Sequence, residues 1–231
     1  MSKPFVVIAL SGPKGAGKDT VADLLVTHCG FTKMAFGDAL YAEVAEAFQI
    51  DEAQLRHRDT KEHPLSAMAL RKCLADAFVG RMMRVHFDRH IALDLDAPRS
   101  PRQILQWWGT EYRRHQDLHY WTRRVSSIIS YRLSRGLQNR FVVTDCRFDN
   151  EEEVIRQTHG GQIWQITRPG CDVPAGSHAS ETTGEAFKPD AVIQNNQDIK
   201  HLQQLVLGEF WAYDAGLEGV EVRVLDERSP A

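Results

Sequence analysis

A three-layer α/β fold with a mostly parallel sheet is predicted by three features of this 231-residue chain. Short apolar runs rich in β-branched residues, without polar alternation, read as strands buried on both faces. Helical patterns alternate with those runs. A glycine-rich turn joins the first strand to the first helix, the junction at which doubly wound sheets bind anions. The length suits one such domain spanning 1–231, with room for an inserted lobe but not for a second large domain.

Phe5-Val-Val-Ile-Ala-Leu10 is the first strand, and the turn from Gly12 to Gly17 follows it. From Lys18 a helix is expected, with Val21, Leu25 and Cys29 on its buried face and Gly30 closing it. Residues 32–36 make a second strand and 38–48 a second helix. The stretch 51–100 is rich in Arg, His and Met, lacks strand patterns and reads as a helical lobe inserted into the parent fold. Ser100-Pro101-Arg102-Gln103 is a helix start: a Ser cap, Pro at the first position and Gln three residues after the cap. Leu105, Trp108 and Tyr112 fit the buried face of that helix, and a further helix is expected over 118–133. Residues 140–145 form the next strand, and Asp149 with Glu152 opens a helix running to about His159. Strands over 162–167 and 191–194 and a helix over 199–213 complete the chain, with a long loop over 168–190 of the kind that is usually functional.

The net charge of −3 provides no general attraction to a nucleic acid polymer or an anionic membrane, so an anion site has to be built locally. Cys29, Cys73, Cys146 and Cys171 are scattered and form no CxxC pair, which fits a reduced, cytoplasmic protein better than a disulfide framework or a zinc site. No apolar stretch approaches the roughly 20 residues of a membrane-spanning helix. These observations leave homodimer formation open.

Gly12-x-x-x-x-Gly17-Lys18 has the P-loop spacing, between a predicted strand and a predicted helix as that motif requires. The loop Gly12, Pro13, Lys14, Gly15, Ala16 and Gly17 would wrap the phosphates of ATP, with every backbone N–H except at Pro13, which has none, available to turn inward. The helix end adds partial positive charge, and Lys18 reaches the β- and γ-phosphates. The position after the lysine departs from the general pattern: Asp19 stands where a magnesium-binding Ser or Thr is expected, with Thr20 next. Thr20 points about 100° away and cannot take the same place, whereas Asp19 could hold Mg2+ through a water. Helix capping is the alternative role for Asp19. Asp145 closes an apolar strand, where P-loop proteins place a carboxylate facing metal or phosphate, and Arg147 lies just beyond it. Arg102 sits in the first turn of its helix, where a cation is disfavoured unless an anion offsets the macrodipole.

These stretches resemble the deoxynucleoside monophosphate kinases of tailed bacteriophages. The resemblance is carried by Leu10-Ser-Gly-Pro-Lys-Gly-Ala-Gly-Lys-Asp-Thr20, Gln106-Trp-Trp-Gly-Thr110, Tyr120-Trp121, Val143-Thr-Asp-Cys-Arg147, Arg168-Pro-Gly170 and His178-Ala-Ser-Glu181. It spans most of the chain and is weakest over 51–100. It implies a nucleoside-monophosphate-kinase fold, ATP with Mg2+ as donor and a deoxynucleoside monophosphate as acceptor. By similarity, the segment around Asp38, the helix carrying Arg102 and Gln106, and Arg114 with Trp121 line the acceptor pocket. Asp145 and Arg147 lie where donor and acceptor meet. The Lys-Asp-Thr ending belongs to that family's own pattern.

An acceptor phosphate is already anionic, so the reaction needs charge neutralisation and positioning instead of a general base. Lys18 with Mg2+ would hold the donor, while Arg147, Arg114 and Arg168 bridge the charge between the nucleotides. The segment 168–190 would close as a lid. Two rival readings share the P-loop. A kinase acting on phosphomevalonate or dephospho-coenzyme A is one, the latter recruiting Asp38 as base toward a hydroxyl. An ATPase acting on a protein partner through residues 51–100 is the other. The pairs His86/His90 and His115/His119 lack the glutamate of an HExxH zinc site and read as solvated helix faces.

Overall fold

The structure is a computed structural model that describes residues 4–57, 61–171 and 188–218. Among the described residues, five strands form one parallel sheet: β1 Val6–Ser11, β2 Thr32–Met34, β3 Arg140–Val143, β4 Gln162–Thr167 and β5 Ala191–Gln194. Their spatial order is β2-β3-β1-β4-β5. β1 therefore lies at the centre, with Val6 opposite Arg140 on one side and Ile8 opposite Gln162 on the other. All six residues of β1 are buried, as the absence of alternation requires.

Eight helices cover the sheet among the described residues: α1 Lys18–Cys29, α2 Asp38–Phe48, α3 Glu52–Arg56, α4 Asp76–Asp88, α5 Pro101–Gln106, α6 Tyr120–Ser134, α7 Asp149–Glu153 and α8 Ile199–Glu218. The period-2 geometry of the strands divides their side chains into two cores. Val6, Ile8 and Leu10 pack with Val142 and Trp164 against α1 and α8. Val7 and Ala9 pack with Phe141 and Val143 against α2, α4, α6 and the segment after α5. Leu55, Met68, Leu70 and Phe78, all from the 51–100 stretch, belong to that same second core. That stretch holds α3, α4 and two short 3₁₀ turns, Ser66–Met68 and Leu70–Lys72. Because β1 leads to α1 on one face and β3 to α7 on the other, the crevice above these adjacent strands is the switch point of the fold.

Several boundaries differ from the sequence expectation, each for a local reason. β2 stops at Met34 because the next amides serve carboxylates: Ala35 N–H donates to Asp38 and Phe36 N–H to Asp145. α6 starts at Tyr120 because the Asp117 carboxylate first takes the His119 amide. The cap of α7 is Phe148, so Glu151 reaches back to its amide at 3.1 Å, while Glu152 pairs with Arg156. α8 runs five residues past Tyr213, and Asp214 in that extension meets the buried Arg140 at 2.9 Å. Removing one partner of such a buried pair costs about 3–5 kcal/mol, so this contact ties α8 to the start of β3. No helix among the described residues is long and apolar enough to cross a membrane.

Candidate active site

A cleft of about 950 Å³ opens above the C-terminal ends of β1 and β3. The P-loop forms one end of it. Gly12 and Gly17 have φ of 123° and 105°, which residues with a Cβ rarely adopt. A Cβ on Gly12 would lie 2.2 Å from the Ile166 carbonyl oxygen, and one on Gly17 would lie 2.5 Å from Asn195 Nδ2. Asn195, just past β5, braces the loop by donating to the Ala16 carbonyl at 2.8 Å. Lys18 Nζ folds back over the turn and donates to the carbonyls of Gly12 and Pro13 at 2.6 and 2.8 Å.

Burial, and then the positive charge of Arg147, lower the Lys18 ammonium to about 8. The sign matters for both folding and binding. A native pKa below the unfolded value of 10.5 means that the ammonium opposes folding below about pH 8, a cost relieved as pH rises from 8 toward 10.5. A bound polyphosphate raises this pKa again, so nucleotide binding near pH 8–9 takes up a proton. ATP affinity is therefore expected to fall about tenfold between pH 7 and 9. Calorimetry in buffers of different ionisation enthalpy measures the proton uptake, which a Lys18→Arg protein should not show.

Asp145 lies at the bend after β3. Its two oxygens accept from Phe36 N–H at 2.7 Å and Gly37 N–H at 2.9 Å, fixing the β2–α2 turn against the cleft floor. Burial raises its pKa, against the opposing pull of Arg147 and these two amides. Glu151 is also buried, and burial followed by the charge of Asp145 lifts it to about 8.

Arg114 enters the cleft through an irregularity in the helix. Residues Trp107–Arg114 continue α5 as a π-helix, with i→i+5 hydrogen bonding. In an α-helix, Arg114 would point about 180° away from Leu105. In the wider π turn, residues five apart, such as Gly109 and Arg114, come near one face. Leu105, Gly109 and Arg114 all line the cleft in consequence. The Arg114 guanidinium stacks on the Phe148 ring at 3.7 Å and donates from Nη2 to Asn150 Oδ1 at 2.9 Å. Its Nη1 is buried with no hydrogen-bond partner, 3.7 Å from Glu151. The neighbouring arginines are engaged elsewhere: Arg113 donates to Glu43, Arg123 to Asp117 and Arg124 to Tyr120.

A family model for deoxynucleotide monophosphate kinase matches residues 79–206, more than half of the chain. The chain belongs to this family. The match begins inside the stretch where the sequence resemblance is weakest and leaves the P-loop outside it. A protein of Acanthamoeba polyphaga mimivirus, named by inference as a deoxynucleotide monophosphate kinase, is 26% identical over 213 residues, covering 88% of this chain and 95% of that protein. Among solved structures, one from Thermus thermophilus is similar at TM-score 0.46 and 15% identity, covering 91% of this chain and 98% of its own. A sugar kinase from Janibacter sp. is similar at TM-score 0.43 and 15% identity, covering 94% of this chain and 100% of its own.

The kinase brings most of the predicted residues to the one cleft. Gly12, Pro13, Lys14, Gly15, Lys18 and Asp19 line its phosphate end, while Ala16, Gly17 and Thr20 stand behind them. Arg102, Gln106, Arg114, Trp121, Asp145 and Arg147 line the remaining walls. Asp38 does not; its carboxylate accepts from Ala35 N–H at 2.8 Å and from Arg56 at 3.0 Å, whereas its neighbours Phe36, Gly37, Leu40 and Tyr41 do line the cleft. Arg168 lines a separate hollow of about 240 Å³ at the ends of β4 and β5, with Thr167, Pro169, Gln194 and Asn196. The motif His178–Glu181 and most of the 168–190 loop lie outside the described residues.

Sequence reasoning missed Tyr41, Arg56, Lys61, Glu62, Phe148 and Glu151, all of which line the cleft. Arg56 and Lys61 lie over the Tyr41 ring at 4.2 and 4.8 Å. One oxygen of Glu62 bridges Lys14 of the P-loop at 3.2 Å and Arg102 at 2.5 Å. No periodicity marks Lys61 or Glu62, which lie outside the helices. Glu151 was legible to a reading that put the helix cap one residue earlier.

Among the described residues, no group of three or more His, Cys, Asp or Glu is arranged to hold a metal by itself. Two carboxylates that the sequence suggested for the metal, Asp19 and Asp145, line the cleft. Asp19 also pairs with Lys33 at 3.0 Å. This donor set fits an ion such as Mg2+, which keeps several waters and completes its shell with phosphate oxygens.

Proposed function

We propose that this deoxynucleotide monophosphate kinase transfers the γ-phosphoryl group of ATP to the 5′-phosphate of a deoxynucleoside monophosphate, with Mg2+ on the donor. One observation carries the reading: the lysine-bearing P-loop, the arginine pair Arg114 and Arg147, and Tyr41, Leu105 and Trp121 all line a single cleft. An acceptor phosphate oxygen forms the new P–O bond, the bond between the γ-phosphorus and the β–γ bridging oxygen breaks, and ADP leaves. No proton has to be removed from the acceptor, so catalysis consists of alignment and charge neutralisation.

Lys18 holds the β- and γ-phosphates after leaving the loop carbonyls. Magnesium supplies further neutralisation of the donor phosphates, with Asp19 and Asp145 holding it through water. Arg147 and Arg114 take the acceptor phosphate and the charge spread over the moving group. Arg102, Gln106 and Trp121, with the segment around Asp38 and the helical stretch 51–100, receive the rest of the acceptor. Arg168 serves the donor side, because its hollow includes Asn196, next to the Asn195 that braces the P-loop. A hydroxyl acceptor would require a base, and the Asp38 carboxylate suggested for that role is already held by an amide and Arg56. The enzyme then acts on free nucleotides in the cytoplasm, that of a host cell if virally encoded, without a nucleic acid polymer or a membrane.

The test is an ADP-release assay over a panel of deoxy- and ribonucleoside monophosphates. Release is expected only with an added monophosphate and faster with the deoxy compounds. Equal ADP release without any acceptor would overturn the kinase reading in favour of an ATPase.

A further inference from the structure

The kinase cleft contains a carboxyl group that phosphoryl transfer does not call for. Glu151 is 5% exposed at its side chain, sits among phosphate-binding groups and adds an acid to a site for anions. The capping box of α7 accounts for its bond to the Phe148 amide, but not for its burial or its second bond, to the Arg147 amide. A solvent-facing Ser, Thr or Asp at the cap position satisfies the first amides of most helices without burying a longer acid. Here Glu151 Oε2 accepts two main-chain N–H groups, from Arg147 at 2.8 Å and Phe148 at 3.1 Å. Both belong to the bend that follows Asp145.

That bend controls two of the arginines that line the cleft, Arg147 and Arg114. Arg147 is on it, so the Glu151 bond to its amide fixes where its side chain departs. Phe148 is also on it, and its ring is the surface on which the Arg114 guanidinium stacks at 3.7 Å. Asn150, in the same first turn of α7, takes Arg114 Nη2 at 2.9 Å and donates to the Leu118 carbonyl at 2.8 Å. The ring and the amide oxygen hold the guanidinium plane, and Nη1 is left buried with no hydrogen-bond partner, 3.7 Å from Glu151 Oε1 and on the wall of the cleft. An unpaired buried donor is costly, and an anion in the cleft would satisfy it.

We propose that Glu151 is a positioning residue for phosphoryl transfer, holding Arg147 and Arg114 in register around the acceptor phosphate through its hydrogen bonds to the 147–148 bend. The inference rests on the kinase reading above and adds to it a residue whose role requires no contact with either nucleotide. It requires the accepting oxygen of Glu151 and not its charge, so glutamine can replace it and an apolar side chain of the same length cannot.

The experiment compares Glu151→Gln and Glu151→Met in the full chain, each alone and with Arg114→Ala, reading acceptor kcat/KM, ATP affinity and thermal stability. Glu151→Gln is expected to stay within about threefold of the wild type. Glu151→Met is expected to lose about 10- to 100-fold in acceptor kcat/KM, with ATP affinity unchanged. In the Arg114→Ala background the same change should cost less than about twofold, because residues that act through one another are not additive. A residue that only stabilises the helix would lower the melting temperature and leave this coupling at zero. Should Glu151→Met fold poorly, Phe148→Leu removes the stacking ring while leaving the Glu151 bonds, and it is expected to show the same acceptor-specific, Arg114-dependent loss. Wild-type turnover by Glu151→Met, equal losses with Gln and Met, or a full loss persisting without Arg114 would each overturn the proposal while leaving the kinase reading intact. A wild-type protein that phosphorylated no monophosphate would overturn both.

Discussion

Lys18→Ala is expected to lower the rate of phosphoryl transfer about 10²–10³-fold, the equivalent of about 2.7–4 kcal/mol of transition-state stabilisation. The lysine is in the first turn of α1, directly behind the P-loop, and its ammonium already donates to two loop carbonyls. Its chain therefore reaches the space the loop encloses. Charge on the β–γ bridging oxygen grows as that bond breaks, so the contact is stronger in the transition state than in the bound substrate, and kcat carries most of the loss. The fold should survive. Below about pH 8 the ammonium is held against a burial penalty that the alanine protein does not bear. Single-turnover measurements with both nucleotides saturating, alongside thermal melts, check this. Near wild-type rates in a well-folded Lys18→Ala protein would remove the lysine from the mechanism.

Arg114→Ala is expected to cost a comparable 10²–10³-fold, about 2.7–4 kcal/mol, but to show it in kcat/KM for the acceptor with ATP affinity almost unchanged. The asymmetry follows from position. Arg114 lines the cleft at the end of the π segment, stacked on Phe148 beside the 147–148 bend, with its Nη1 lacking a hydrogen-bond partner. Lysine should not restore the activity, since an ammonium can neither lie flat on the Phe148 ring nor present two parallel donors to a phosphate. Steady-state kinetics with each substrate varied in turn separate the two sides. Equal losses for ATP and acceptor would place Arg114 between the nucleotides and not on the acceptor.

The three other arginines near Arg114 show why this assignment needed the tertiary structure. Arg113, Arg114, Arg123 and Arg124 look alike along the chain, and helical periodicity does not decide which faces a ligand. Folding gives Arg113 to Glu43, a carboxylate that also accepts from Trp108 Nε1 at 2.9 Å and from the Tyr120 hydroxyl. That hub holds the π segment against α2 and the start of α6. It lies 70 residues from Arg113 in sequence, and no local pattern announces it. Asp38 shows the same limit from the other direction: a carboxylate that looked available for chemistry is used to shape the turn between β2 and α2.

By itself, the amino-acid sequence determined the buried parallel strands, the P-loop with Lys18 and the helix start at Ser100, and it located Asp145 near the end of β3, which stops two residues earlier at Val143. Each is a short-range pattern, because hydrophobic run length, glycine placement and capping act within a few residues of one another. Tertiary structure alone decided that Arg114 turns into the cleft, that Glu62 bridges Lys14 and Arg102, and that Glu151 closes on the bend after Asp145. Those outcomes depend on how helices are pushed against a common sheet, where burial selects which polar groups must find partners and which are left to meet a ligand.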